Sequence, residues 1–314
     1  MTQQTVQNII PFVAHAIQCA VFVEYRGIMI KETAYAKINI GLDIVEKRSD
    51  GYHNIDTIMQ AVSLGDEIYL KKALGITIEC SNTDIPIDES NTAHKAAIAF
   101  FKKSNIDYQI NGVSISIIKH IPSKAGLGGG SSDAAAVLRG LNKLYCTNFS
   151  TSILRELALE VGSDVPFCIE GGTQRAKGRG EELTVLPSFK GVNIVIIMPA
   201  ETVETAYAYS MHSKTEEPVH PNMQLIETVV LKKNLHKLGN CIGNTFEPLV
   251  FPGKPTIEKA KHDIIDTGAV IVSMTGSGAA VFGVYDSHDT AQTAYLKLNK
   301  KYKTYLTKTI GGID

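Results

Sequence analysis

A chain of 314 residues has room for two domains at about 150 residues each, and it is too long for a disulfide-stapled mini-protein. Hydrophobic residues make up 44% and charged residues 20%, the balance of a folding globular chain rather than a disordered one. Lys+Arg 31 against Asp+Glu 32 leaves a formal charge of -1, so no global field draws nucleic acid or an anionic membrane, and any bound phosphate must be held locally.

The five cysteines, Cys19, Cys80, Cys146, Cys168 and Cys241, are scattered, with no C-x-x-C pair and no histidine pair at zinc-ligand spacing, which fits a reducing cytoplasm. The only notable apolar run, residues 9–23, is interrupted by His15 and Gln18, lacks a preceding Lys or Arg, and is too short to span a bilayer. Residues 1–28 therefore read as an upstream extension of uncertain role or a mis-assigned start, with an ordinary domain beginning at Met29.

Residues 34–44 alternate with period two. Ala34, Ala36, Ile38, Ile40, Leu42 and Ile44 share one face, and Tyr35, Lys37, Asn39, Gly41 and Asp43 the other, so a half-buried strand presents Lys37 and Asn39 together. A Ser-Asp-Gly turn at 49–51 leads to Tyr52 and His53, and residues 66–72 and 76–80 read as short strands. Asn91 caps an expected helix carrying Ala93, Ala96, Ala97, Phe100 and Phe101, and Val113, Ile115 and Ile117 mark a strand running towards Pro122. The segment IPSKAGLGGGSSDAAAVLRGLNKLY at 121–145 then predicts a glycine loop followed by a helix over 134–145. A further helix over about 151–161 ends at Gly162, and Asp164 is expected in a loop because Pro166 blocks helix continuation.

Pro187 and Gly191 separate apolar stretches and place a domain boundary at 187/188, giving units 29–187 and 188–314. Beyond it come an expected strand at 192–198, a polar, exposed connection at 212–224, strands at 270–274 and 279–285, and a final amphipathic helix. Strands and helices mix without a βαβ rhythm, so the expected class is α+β.

Gly126, Gly128, Gly129 and Gly130, with Ser131 and Ser132 at a helix start, suit a phosphate cradle of bare backbone N–H groups at a positive helix end. A tight strand-to-helix turn would need fewer glycines. The run lacks the G-K-[ST] of a Walker loop, and Ser131 stands where G-x-G-x-x-G has its third glycine, so both common nucleotide motifs are disfavoured. Taken singly, Asp164 would be a turn former and Lys37 a snorkelling side chain. A third flexible cluster, MTGSGAAVF at 274–282, changes that reading.

Together AYAKINIGLDI at 34–44, IPSKAGLGGGSSDAA at 121–135 and MTGSGAAVF at 274–282 resemble the three motifs of the GHMP kinases, from about Met29 to the C-terminus. The segments DGYHNIDTIMQAVSLGDEI at 50–68 and VGSDVPF at 161–167 narrow the resemblance to a member acting on a polyol that carries a cytidine diphosphate. The resemblance implies a two-domain GHMP kinase fold, residues 29–187 binding ATP, with the active site in the cleft between domains. It also implies ATP with Mg²⁺ as phosphoryl donor, transfer to a 2-hydroxyl, and a place in the non-mevalonate isoprenoid route. Asp164 would be the catalytic aspartate, Lys37 its partner, and Pro122, Gly126, Leu127, Gly128, Gly129, Gly130, Ser131 and Ser132 the binders of the ATP phosphates, with Ser131 or Ser132 as candidate Mg²⁺ ligand. Asn39, Gly276 and Ser277 would contact substrate, His53 would read the cytosine edge, and Tyr52 and Tyr209 would flank the ring, Tyr207 being the less favoured alternative. The rival readings are another GHMP kinase, of homoserine or mevalonate type, and a non-catalytic ligand-binding protein. The expected partner is the small molecule alone, with no nucleic acid or membrane, and the expected state is a monomer or weak homodimer.

Overall fold

The computed structural model describes residues 28–215 and 217–313, so the reading of residues 1–28 as an extension lies, but for Ile28, outside the described residues. Among the described residues ten strands form two sheets: β1 (Met29–Lys47), β2 (His53–Ala73), β3 (Ile76–Cys80), β4 (Gly112–Ile118), β5 (Thr173–Lys177) and β6 (Glu182–Val185) in the first, and β7 (Asn193–Met198), β8 (Ile271–Met274), β9 (Val281–Tyr285) and β10 (Lys303–Lys308) in the second. The first sheet runs β3-β4-β2-β5-β6 with β1 also paired to β2, and the second runs β10-β7-β9-β8. Among the strands of the described residues, only β3 and β4 pair in parallel. The boundary expected at 187/188 falls between the last strand of one sheet and the first of the other.

The helices are α1 (Thr92–Ser104), α2 (Gly129–Leu144), α3 (Thr151–Val161) and α4 (Val165–Glu170) beside the first sheet, then α5 (Thr205–His212), α6 (Met223–Leu231), α7 (Leu235–Gly239), α8 (Glu247–Val250), α9 (Pro255–Ile265) and α10 (His288–Leu298). Asn91 caps α1 as its sequence implies, its side chain accepting from the Ala93 N–H, and Ser150 caps α3 in the same way through Ile153. Phe100, Phe101, Leu138, Leu141 and Ile115 join one core between these helices and the first sheet.

Several elements depart from the sequence expectation. The first strand is buried on both faces from Ala36 to Leu42, because the glycine loop and the 275–278 segment cover the Lys37 face. β2 is one strand of 21 residues; its buried polar Thr57, Gln60 and Asp66 hide the apolar alternation that would have revealed its length. Gly129 and Gly130 belong to α2, which starts earlier than position 134, since first-turn N–H groups need no intrahelical partner. Pro166 lies in the first turn of α4, where its missing N–H costs nothing, so Asp164 becomes a helix N-cap rather than a loop residue. Residues 212–224 are not uniformly exposed, for His212 and Met223 are buried. The helices between 205 and 265 and the last strand, β10, have no clear sequence signal.

The start of α2 is aimed by close packing: a Cβ at Gly140 would overlap Leu70 Cδ1 of β2 and lie 3.2 Å from Glu32 Cγ. Gly140→Val should lower stability by about 1–3 kcal/mol through overpacking, read as a lower urea midpoint at unchanged m. An unchanged midpoint would mean that α2 has slack against the sheet.

Candidate active site

A cleft of about 940 Å³ is lined by the middle of β1, the glycine loop, the start of α2, the 163–164 corner, the β5–β6 turn, α5 and the 276–277 loop. It gathers Lys37, Asn39, Tyr52, His53, Pro122, Gly126, Leu127, Gly128, Gly129, Gly130, Ser131, Asp164, Tyr209, Gly276 and Ser277. Ser132 is the sequence candidate it does not include. That serine is 1% exposed, its hydroxyl donates to the Tyr35 carbonyl at 2.6 Å, and its N–H goes to the Gly128 carbonyl at 2.8 Å, so neither proton is left to donate to a phosphate and the oxygen lies away from the cleft.

Lys37 sits between two register shifts of β1 against β2, at Tyr35/Lys37 and Asn39/Gly41, and its N–H bonds to the Leu127 carbonyl at 3.0 Å instead of to β2. Bulges of this kind re-aim side chains next to a site. The Lys37 ammonium donates to Asn39 Oδ1 at 2.7 Å and lies 3.6 Å from Asp164 Oδ2. Lys37 is almost fully enclosed, whereas the Asp164 side chain is 36% exposed to the cleft. Asn39 acts as a strut rather than an open donor: its Nδ2 donates to Thr57 Oγ1 at 2.8 Å, and its backbone N–H to Thr275 Oγ1 at 3.1 Å. Thr275 and Thr57 escaped the sequence reading, although Thr275 stands beside the candidate Gly276.

The glycine loop fits an anion. Gly126 and Gly128 have φ of +72° and +71°, and a Cβ at Gly126 would collide with the Thr275 carbonyl. Gly128 is the N-cap of α2 and supplies no side-chain cap, which leaves first-turn N–H groups and the helix dipole facing the cleft. The half-buried Ser131 hydroxyl lies beside them. Among the described residues no group of three His, Cys, Asp or Glu could hold a metal ion.

The other end of the cleft is aromatic. The His53 and Tyr209 rings lie 4.9 Å apart at 33°, and His212 meets His53 edge-on at 5.6 Å. Burial, with the charges of His212 and Lys47, holds His53 below the ordinary imidazole value, so its ring is neutral at pH 7. Burial and the nearby Asp164 carboxylate push the Tyr209 phenol up to about 12. Tyr209 lines the cleft and Tyr207 does not. Tyr52 is 56% exposed, with the Arg179 guanidinium 5.2 Å from its ring centroid.

Lys119 also reaches the cleft and bridges Asp66 and Asp133, at 2.6 Å in the second case. Burial pushes the Asp133 carboxyl up. Neither this cluster nor Arg179 has a distinctive sequence signal, beyond the Gly178-Arg179-Gly180 turn.

Comparison with known proteins agrees with this layout. A family model described as GHMP kinases N terminal domain matches residues 91–172, and one described as GHMP kinases C terminal matches residues 225–304. The chain belongs to the GHMP kinase family and is a small-molecule kinase. Within that family it is similar to a 4-diphosphocytidyl-2-C-methyl-D-erythritol kinase of Acetivibrio thermocellus, 40% identical over 279 residues, covering 88% of this chain and 98% of the relative. A protein of the same name from Clostridium tetani is 39% identical over 283 residues, covering 90% and 100%. A crystal structure of 4-(cytidine 5'-diphospho)-2C-methyl-D-erythritol kinase superposes with a TM-score of 0.76 at 30% identity, covering 90% of this chain and 100% of that one. Homoserine kinase from Cytophaga hutchinsonii shares the fold at 21% identity, TM-score 0.73, covering 90% and 95%. Among the described residues no helix is long and apolar enough to cross a membrane.

The Thr275 hydroxyl ties the last motif to the first, so Thr275→Val keeps the shape but strands the buried Asn39 N–H. It should cost about 1–3 kcal/mol in denaturant unfolding and lower turnover by releasing Asn39. Wild-type stability and kcat together would show the strut to be dispensable.

Proposed function

We propose that the chain transfers the γ-phosphoryl group of ATP to the 2-hydroxyl of 4-diphosphocytidyl-2-C-methyl-D-erythritol, giving the 2-phosphate and ADP, in the non-mevalonate route to isoprenoid precursors. The observation that carries this reading is one cleft with an aromatic and imidazole pocket at one end, a bare helix N-terminus at the other, and the Asp164–Lys37 pair between them. The names of the relatives support it. Homoserine and mevalonate have no base to stack, so a reading with either as substrate leaves the pocket without a purpose.

In this reading the acceptor hydroxyl lies beside Asp164, whose carboxylate takes the proton as the oxygen attacks the γ-phosphorus and the bond to ADP breaks. Lys37 donates one hydrogen bond to Asn39, and its remaining N–H groups face the transferring phosphate, where charge builds up. ATP would bring Mg²⁺ with it; the phosphates would rest on the N–H groups of Gly128 to Ser131, and the half-buried Ser131 hydroxyl would be the side chain to hold the metal. Mg²⁺ supplies charge neutralisation to the phosphates. Neutral His53, whose Nε2 lies 3.3 Å from the Ser213 hydroxyl, meets the cytosine edge through one ring nitrogen, with Tyr209 against the ring face.

The direct test is an ADP-release assay with the cytidine substrate, mevalonate and homoserine in parallel; turnover confined to the first supports the reading, and preference for another sinks it. Asp164→Asn should bind substrates but lower kcat at least about 10²-fold, the low end for a positioned base. Near-normal turnover would remove Asp164 from the chemistry. Tyr209→Ala should weaken the cytidine substrate by about 1–3 kcal/mol, roughly 5- to 150-fold in Kd, and leave the Kd for ATP unmoved. Equal losses for both ligands in calorimetry would make Tyr209 a fold residue instead.

A further inference from the structure

A nucleoside diphosphate ester carries a negative charge on each phosphate, between the base and the group to be phosphorylated, and a protein cation normally meets such charges. Four cations line the cleft: Lys37, Lys119, Lys124 and Arg179. Lys37 is committed to Asn39, Asp164 and the phosphoryl group being transferred, Lys119 is engaged with Asp66 and Asp133, and exposed Lys124 with Glu204 at 2.8 Å. Arg179 differs. Its Nε makes one long contact to Glu181 Oε1 at 3.5 Å, while its terminal nitrogens have no hydrogen-bond acceptor among the described residues. Asp50, whose carboxylate also feels the Arg179 charge, is hydrogen-bonded by Arg48 at 3.0 to 3.2 Å.

Its position matches the order of groups along such a substrate. The guanidinium lies 5.2 Å from the Tyr52 ring centroid, at the aromatic end, and a Cβ on the next residue, Gly180, would lie 3.7 Å from Asp164 Oδ1. The β5–β6 turn thus spans from the base pocket to the acceptor carboxylate. The turn is held, since the Arg179 N–H donates to Glu181 Oε2 and the Gly180 N–H to the Lys177 carbonyl at 3.0 Å. We infer that Arg179 is a specificity-determining residue whose guanidinium clamps the diphosphate linking the base to the acceptor alcohol. This assignment rests on the cytidine reading of the cleft. It also gives the exposed Tyr52 ring a role, as the surface against which the planar guanidinium is oriented before substrate arrives.

The test is calorimetry on the full chain saturated with a non-hydrolysable ATP analogue, titrating cytidine and CDP. Wild type should bind CDP at least about tenfold tighter than cytidine, the scale of one charge-assisted hydrogen bond. Arg179→Gln should shrink that ratio to about twofold while keeping cytidine affinity, and Arg179→Lys should fall between, because an ammonium cannot make the two parallel bonds. With the complete substrate, KM should rise about tenfold in Arg179→Gln and KM for ATP should not move. An unchanged CDP-to-cytidine ratio overturns the assignment, as does an equal loss for cytidine, which would make Arg179 a prop for Tyr52. A wild-type chain that binds neither nucleoside ligand overturns the base pocket itself, an outcome distinct from a ratio that survives the substitution.

Discussion

The cleft depends on a lysine that the fold has nearly removed from water. Burying an ammonium is costly unless it is paired and hydrogen-bonded. Lys37 receives one good acceptor, the neutral Asn39 amide at 2.7 Å, and a carboxylate at 3.6 Å that is itself part-exposed. Its hydrogen-bonding capacity is incompletely used inside the protein, and the unused part faces the space between Asp164 and the glycine loop. The same geometry explains why Gly128 lacks a side chain, because a Cβ there would press to 3.0 Å on Lys37 Cγ.

Everything around that lysine serves to keep it in register. The bulges of β1 detach its backbone N–H from β2 and give it to Leu127, which ties the first motif to the phosphate loop. Thr275 receives the Asn39 N–H and contacts the Gly126 carbonyl at 3.2 Å, so residues from three distant parts of the chain share one hydrogen-bond network. Asn244 adds a fourth thread, donating to the Met274 and Gly276 carbonyls at 2.8 and 2.9 Å. Such a network fixes Asn39, Thr275 and the Gly126 carbonyl relative to one another, which suits catalysis by positioning.

Much of the fold was legible where local chemistry dominates. The Asn91 and Ser150 caps, the Val113–Ile117 alternation and the apolar β7 announce their elements without tertiary help. The misreadings share one cause, a residue whose local preference was overruled by its surroundings. Gly129 and Gly130 look like loop, yet open a helix whose N-terminus the cleft needs bare. Pro166 looks like a stop, yet begins α4. Thr57, Gln60 and Asp66 look like solvent-facing breaks in β2, yet each is buried with a partner supplied from elsewhere: Asn39, Thr173 and Lys119.

By itself the sequence determined the chemical inventory: a glycine-rich loop leading into a helix, a strand that sets Lys37 beside Asn39, an aspartate at a Gly-Ser-Asp-Val-Pro corner, and aromatic and imidazole rings after turns. These follow from backbone freedom, side-chain period and residue type, which are local properties. Only the tertiary structure decided which of these groups face the cleft and which are spent in holding it. Asn39 turned out to brace Lys37, Ser132 to tie α2 to Tyr35, and Arg179, unremarked in its turn, to stand against the Tyr52 ring on the turn that also approaches Asp164. The physical reason is that a polar side chain has a fixed number of hydrogen bonds to give, and only its neighbours in space settle how many remain for a ligand.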